Sequence, residues 1–266
     1  MNGFSPVATK RLYTWLRQRP RQKLDLQVEV DRGSGFYFGV VYAVEMAEDI
    51  LKEEGKLYCL GDIIHNDMEV ERLEQMGLII IDHGALGKLK NEKVLIRAHG
   101  EPPSTYRLAM ENHLQLIDAS CPVILKLQQR IRQSYEAGEH ILIYGKKDHA
   151  EVIGLRGQTQ DQAAAFLNPQ ELENKDLPVE VTIYSQNTKN KGRFREAVRQ
   201  IEKMGSKVKA HDTICRQVSH RDQELREFVQ RFDAVIFVAG RKSSNGKILF
   251  GVCRQANSRT HFASSV

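Results

Sequence analysis

The chain reads as an α/β protein with parallel sheets, and three observations predict it. Apolar runs of four to seven residues recur along the sequence, helix-period segments separate them, and polar residues able to do chemistry fall at the carboxyl ends of the runs. Short strands buried on both faces and alternating with helices are what βαβ units require. In such sheets the functional groups collect where the strands end.

The elements follow in order. LDLQVEV (24–30) alternates apolar and polar residues and reads as a strand; the glycine-rich turn GSGFYFGV (33–40) comes next. VVYAVEMAEDILKEEG (40–55) then places apolar residues three and four apart, the spacing of an amphipathic helix. KLYCLG (56–61) is a strand, MEVERLEQMG (68–77) a helix closed by Gly77 at its C-cap, and LIIID (78–82) another buried strand. KVLIRAHG (93–100), LQLIDAS (114–120), HILIYG (140–145), VEVTIYS (179–185) and DAVIFVAG (233–240) continue the series, and THFASSV (260–266) reads as a last strand.

Composition bounds the function. With 266 residues and 41% hydrophobic content the chain can bury a sizeable core. A net charge of +5, without Lys/Arg runs through the body, does not imply nucleic-acid binding. No apolar stretch approaches the roughly 18 to 20 residues that span a bilayer, so no membrane partner is expected. The four cysteines, Cys59, Cys121, Cys215 and Cys253, are widely separated, which suits reduced thiols and a cytoplasmic location. The first 23 residues hold six Lys/Arg and no Asp/Glu, with Pro20 interrupting any helix. They read as a short basic extension, and the location becomes organellar if that extension is a transit peptide.

The residues at the strand ends define the expected site. Tyr37 follows the first run, His65 and Asn66 the second, and His99 stands in AHGEPP; then come Cys121, His149 with Glu151, Gln186 to Thr188, Cys215, and Ser243 to Asn245. Single thiolates far apart in sequence do not match the paired spacing of structural zinc, and soft sulfur ligands suit an iron–sulfur centre. Imidazoles, small hydroxyls and amides at strand-to-helix turns suit a phosphate or diphosphate, helped by helix N-termini. Glu151 is the acid of this set and a natural proton donor if desolvated, although a carboxylate at a helix N-terminus also has a purely structural use.

Eight strings, GSGFYFGVVYAVEMAE, GDIIHNDMEVERLEQMGL, AHGEPP, IDASCPV, YGKKDHAEVIGLRGQT, SQNTKN, DTICRQVS and KSSNGK, resemble in order successive blocks of the 4-hydroxy-3-methylbut-2-enyl diphosphate reductase (LytB) family, from about residue 28 to the last residue. The resemblance implies three similar small α/β units around a central cavity. For this chain that means a first unit at 24–120, a second at 121–210 and an incomplete third at 211–266, after the extension 1–23. It implies removal of the allylic hydroxyl of a C5 diphosphate by two-electron reduction, with electrons from a ferredoxin or flavodoxin. It also implies a 4Fe-4S cluster on Cys121 and Cys215, with His65, His99, His149, Asn187, Ser243, Ser244 and Asn245 around the substrate and Glu151 delivering the proton.

The sequence departs from that pattern in three places. Tyr37 stands where the family has the third cysteine, and a phenol is a harder, bulkier ligand with an ordinary pKa of about 10. Cys59, the nearest other thiol, falls inside an expected strand. Asn187 replaces a threonine and can still donate and accept hydrogen bonds. The chain stops at Val266, where the family continues with further strands and helices, so the third unit is expected to lack half its sheet, and the activity of this copy to be impaired. The alternative function is a non-catalytic relic or a diphosphate-binding module lacking a stable cluster.

Overall fold

The computed structural model describes residues 25–173, 176–241 and 243–264, and the basic extension expected at 1–23 lies outside them. Residues 35–266 form one compact unit that carries every element named below.

Among the described residues ten parallel strands build three sheets. The first contains β1 (Leu57–Leu60), β2 (Leu78–Ile81), β3 (Lys93–Ile96) and β4 (Gln115–Asp118), in the order β2-β1-β3-β4. The second contains β5 (Ile141–Tyr144), β6 (Ala164–Phe166), β7 (Glu180–Ser185) and β8 (Lys207–His211), in the order β6-β5-β7-β8. The third pairs β9 (Val235–Val238) with β10 (Thr260–Ala263). Strand order is the same in the two larger sheets, and the third reproduces its first two places. The fold is therefore three similar α/β units, the third smaller, as expected.

The helices repeat in the same register. One precedes the founding strand of each unit: α1 (Phe38–Glu54) before β1, α5 (Pro122–Glu136) before β5, and α8 (Arg216–Val229) before β9. One follows it: α2 (Asp67–Gln75), α6 (Ala150–Gly157) and α9 (Ser244–Ala256). The first two units also carry α3 (His83–Leu86), α4 (Pro103–Glu111) and α7 (Lys191–Lys203). Helix α1 shows why the spacing gives a helix: Gly39, Ala43, Val44, Ala47 and Leu51 fall on one buried stripe, packing with Leu57, Cys59 and Leu95 of the first sheet. Every residue of β5 is buried, as expected of a central parallel strand covered on both faces. Gly77 ends its helix at φ +110°, where an added Cβ would lie 2.0 Å from the Gly55 carbonyl oxygen, so only glycine fits.

One expected element is absent. Residues 25–30 form no regular structure, and Leu26, Val28 and Val30 are exposed. Their alternation gives a strand only where a neighbouring strand pairs with the backbone, and these residues join none of the described ladders. Strands β6 and β8 escaped the reading for the opposite reason. The first is three residues long, and the second, Lys-Val-Lys-Ala-His, is mostly exposed and lacks an apolar run. Among the described residues no helix is long and apolar enough to cross a membrane.

Candidate functional site

The repeat brings six helix starts to one side of the sheets. Tyr37, Cys121 and Cys215 are the N-cap residues of α1, α5 and α8, one per unit. Asn66, His149 and Ser243 are the N-caps of α2, α6 and α9. In both larger sheets the connections leave the founding strand in opposite directions, so β1 with β3 and β5 with β7 open a crevice at their carboxyl ends. His65 follows β1, His99 follows β3, His149 follows β5 and Asn187 follows β7.

The three histidines meet. Ring centroids lie 5.7 Å apart for His65 and His99, 6.4 Å for His65 and His149, and 5.3 Å for His99 and His149. Two come from the first unit and one from the second, so the cluster exists only because the units pack together. Burial holds His99 well below the ordinary histidine range, with Arg97 and the other two imidazoles adding to the effect. Burial also lowers His149 to about 4, supported by His65, Lys189, Arg97 and Lys146. Both rings are neutral at pH 7. His149 Nδ1 accepts from the Glu151 backbone N–H at 3.3 Å, which leaves its ring proton on Nε2. His99 Nδ1 is buried without a partner, a polar atom that calls for a ligand.

Glu151 lies one helical step from His149 and is 1% exposed. Burial pushes its carboxyl up to about 8, although the Asn187 backbone N–H and the Lys189 charge oppose the shift. The Asn187 N–H donates to Glu151 Oε1 at 2.7 Å. A carboxyl in this state carries its proton at neutral pH and can deliver it. Asn187 also accepts from the Cys215 N–H through its carbonyl at 2.9 Å, and its side-chain Oδ1 is buried without a partner. Residue 187 thereby ties Glu151 to the start of the third unit.

Of the C-terminal trio, Asn245 donates through Nδ2 to the Tyr37 phenol at 3.1 Å, and its Oδ1 is buried without a partner. Ser243 accepts from Gly246 N–H at 3.0 Å as a helix cap. The Ser244 side chain lies outside the described residues. The turn before them seats against the triad: a Cβ on Gly240 would lie 2.1 Å from the His65 carbonyl oxygen. A backbone atom cannot yield that distance, so Gly240→Ala is expected to push the third unit off the first and destabilise the protein by about 1–3 kcal/mol in urea unfolding. An unchanged midpoint would contradict the close approach.

The expected iron–sulfur cluster is corrected by the structure. Among the described residues, the metal-capable side chains that stand together in threes are His65, His99 and His149, an all-imidazole group that includes neither Cys121 nor Cys215. The two cysteines do share a corner with residue 37. A Cβ on Gly39 would touch Cys121 Sγ at 2.9 Å, and the Cys215 charge acts on Tyr37. The third member of that corner is nevertheless a phenol engaged by Asn245, and burial raises its pKa above the ordinary value, so it stays protonated. Two cysteines and a neutral phenol do not supply the three thiolates that the expected cluster needs. Cys59 does not replace the missing ligand, because its thiol is fully buried, donates to the Gly61 carbonyl at 3.2 Å and is raised to about 12.

Sequence reasoning missed the cations around the triad. Arg97, two residues before His99, packs beneath Gly61, and its Nη1 donates to the Asp62 carbonyl at 3.2 Å. Lys189 is partly desolvated, its pKa lowered chiefly by burial. For Arg97 the signal was available as a basic residue immediately after an apolar run, in KVLIRAHG; Lys189 lies further past its run and carried none.

Known proteins are similar to this chain in sequence and fold. A family model described as LytB protein matches residues 28–266. The chain is 49% identical over 248 residues to a 4-hydroxy-3-methylbut-2-enyl diphosphate reductase of Parabacteroides distasonis, covering 91% of this chain and 86% of that protein. It is 48% identical over 260 residues to the protein of the same name from Chloroherpeton thalassium, covering 89% and 82%. A solved structure of (E)-4-hydroxy-3-methyl-but-2-enyl diphosphate reductase, described as the terminal enzyme of the non-mevalonate pathway, superposes with a TM-score of 0.71 at 31% identity, over 88% of this chain and 84% of that one. The E-1-hydroxy-2-methyl-but-2-enyl-4-diphosphate reductase from Plasmodium falciparum superposes with a TM-score of 0.76 at 25% identity, over 87% and 74%.

Proposed function

The chain belongs to the LytB protein family, and on that premise we propose that it is a reductase of 4-hydroxy-3-methylbut-2-enyl diphosphate, acting in the terminal step of the non-mevalonate isoprenoid route. The observation that carries the reading is the joining, across two units, of three imidazoles and a buried protonated carboxyl at one crevice. The reaction breaks the allylic C–O bond, takes up two electrons and two protons, and leaves water with isopentenyl or dimethylallyl diphosphate. The electrons come from an external carrier, a ferredoxin or a flavodoxin. The residues described here account for binding and proton delivery.

In this reading His65, His99 and His149 hold the diphosphate, with Asn187, Ser243, Ser244 and Asn245 completing the pocket from the second and third units. The orphaned His99 Nδ1 supports the assignment, as do the nearby Arg97, Lys146 and Lys189 charges. Glu151 donates the proton that lets the hydroxyl leave as water. A second reading is favoured by Tyr37: with a phenol bonded to Asn245 at the corner, the chain binds the diphosphate and does not reduce it.

Anaerobic incubation with substrate and chemically reduced flavodoxin, read by mass spectrometry, tests the first reading through formation of the two C5 products. Binding without product supports the second. Absence of both sinks the proposal.

Binding should also take up protons. Because burial holds His99 and His149 low in the free protein, a neighbouring diphosphate raises both, and the complex holds more protons than its parts. The protein's contribution to affinity therefore grows as pH falls from 7 toward about 4, the His149 value in the free state. Calorimetry in two buffers of different ionisation enthalpy should show a net uptake that shrinks in His149→Gln, and equal uptake in both proteins would contradict it.

A further inference from the structure

We propose that His65, His99 and His149 also form a binding site for one divalent transition-metal ion, of which Zn2+ is the best fit. The potential ligand atoms of the three rings all lie within 4.8 Å of one another. Tetrahedral coordination at about 2.0–2.1 Å places ligand nitrogens roughly 3.3 Å apart, so modest ring rotations close the site. Three imidazoles with a fourth position left open is a coordination set that zinc accepts, and all-nitrogen ligation suits zinc, cobalt or nickel better than magnesium or calcium.

Two independent features favour a ligand here. His99 Nδ1 is buried with no partner, so a lone pair or N–H goes unused in the unliganded protein. The rings also come from three separate turns, those that follow β1, β3 and β5, with His149 fixed as the N-cap of α6, so the site does not depend on one loop. One cost falls on the His149 cap. Ligation through its Nδ1 would release the 3.3 Å contact with Glu151 N–H, and ligation through Nε2 would require the ring proton to move to Nδ1 and likewise break that cap. The contact is long and weak, and its loss is small beside three metal–nitrogen bonds.

The inference rests on the geometry of the triad and stands whether or not a diphosphate binds there. Its test is titration of the full chain with Co2+, followed through the visible d–d absorption of tetrahedral cobalt. One equivalent should produce a saturating band that Zn2+ then displaces. His99→Ala and, separately, His65→Ala should each weaken binding at least tenfold with an unchanged circular dichroism spectrum, while the remote His113→Ala keeps the band. No saturable band, or a band that survives both triad variants, overturns the site.

Discussion

Replacing Glu151 with Gln is expected to remove a strong pH dependence of stability and, in a turnover assay, to cost about 10²-fold or more. The stability argument has a definite sign. The carboxyl titrates at about 8 in the folded protein against an ordinary 4.5, because burial penalises its charged form. The folded state therefore binds a proton that the unfolded state has lost between those values, and stability is full below about 4.5 and declines as pH rises toward 8. The whole effect is on the order of 5 kcal/mol at most. Gln keeps an acceptor for the Asn187 N–H, which now reaches Oε1 at 2.7 Å, and cannot ionise. Urea unfolding at pH 7, 7.5 and 8, above the window in which the lowered His99 and His149 contribute the opposite slope, should show the parent weakening relative to the variant. A parent with no slope across this range would remove the case for a neutral Glu151 as proton donor.

His99→Ala is the second large effect. This ring sits between its two partners, 5.7 Å from His65 and 5.3 Å from His149, and carries the unpartnered nitrogen. Hydrogen bonds to a charged group contribute about 1.5–3 kcal/mol, so its loss should weaken diphosphate binding roughly 10- to 100-fold. The isolated alcohol, lacking the diphosphate, should bind equally poorly to parent and variant. An unchanged calorimetric affinity for the diphosphate would place the tail somewhere else.

How far the sequence reached is clear from particular residues. His65, His99 and His149 stood out as histidines just past strand-like runs, and the three converge because each lies in the turn that leaves the carboxyl end of a strand at a crevice where connections diverge. The helix at 38–54 and the buried strand at 141–144 were legible because their apolar spacing is also their burial pattern. Leu26, Val28 and Val30 misled, since alternation records a tendency and only a pairing partner turns it into a strand. β8 stayed hidden because its lysines are satisfied by Glu180 and Glu139, contacts that no local pattern announces. The cluster expected at Cys121 and Cys215 failed at residue 37, where the phenol found Asn245, a partner 208 residues away. Arg97 and Lys189 were missed because their role is electrostatic and depends on which loops the fold brings side by side.

The central claim is that one crevice, shared by the first and second units, holds the diphosphate on three histidines. A crystal structure of the chain grown with 4-hydroxy-3-methylbut-2-enyl diphosphate tests it most directly. The account predicts phosphate oxygens within hydrogen-bond reach of the His65, His99 and His149 rings, with the allylic end toward Glu151. A diphosphate bound with all three imidazoles out of reach would contradict it.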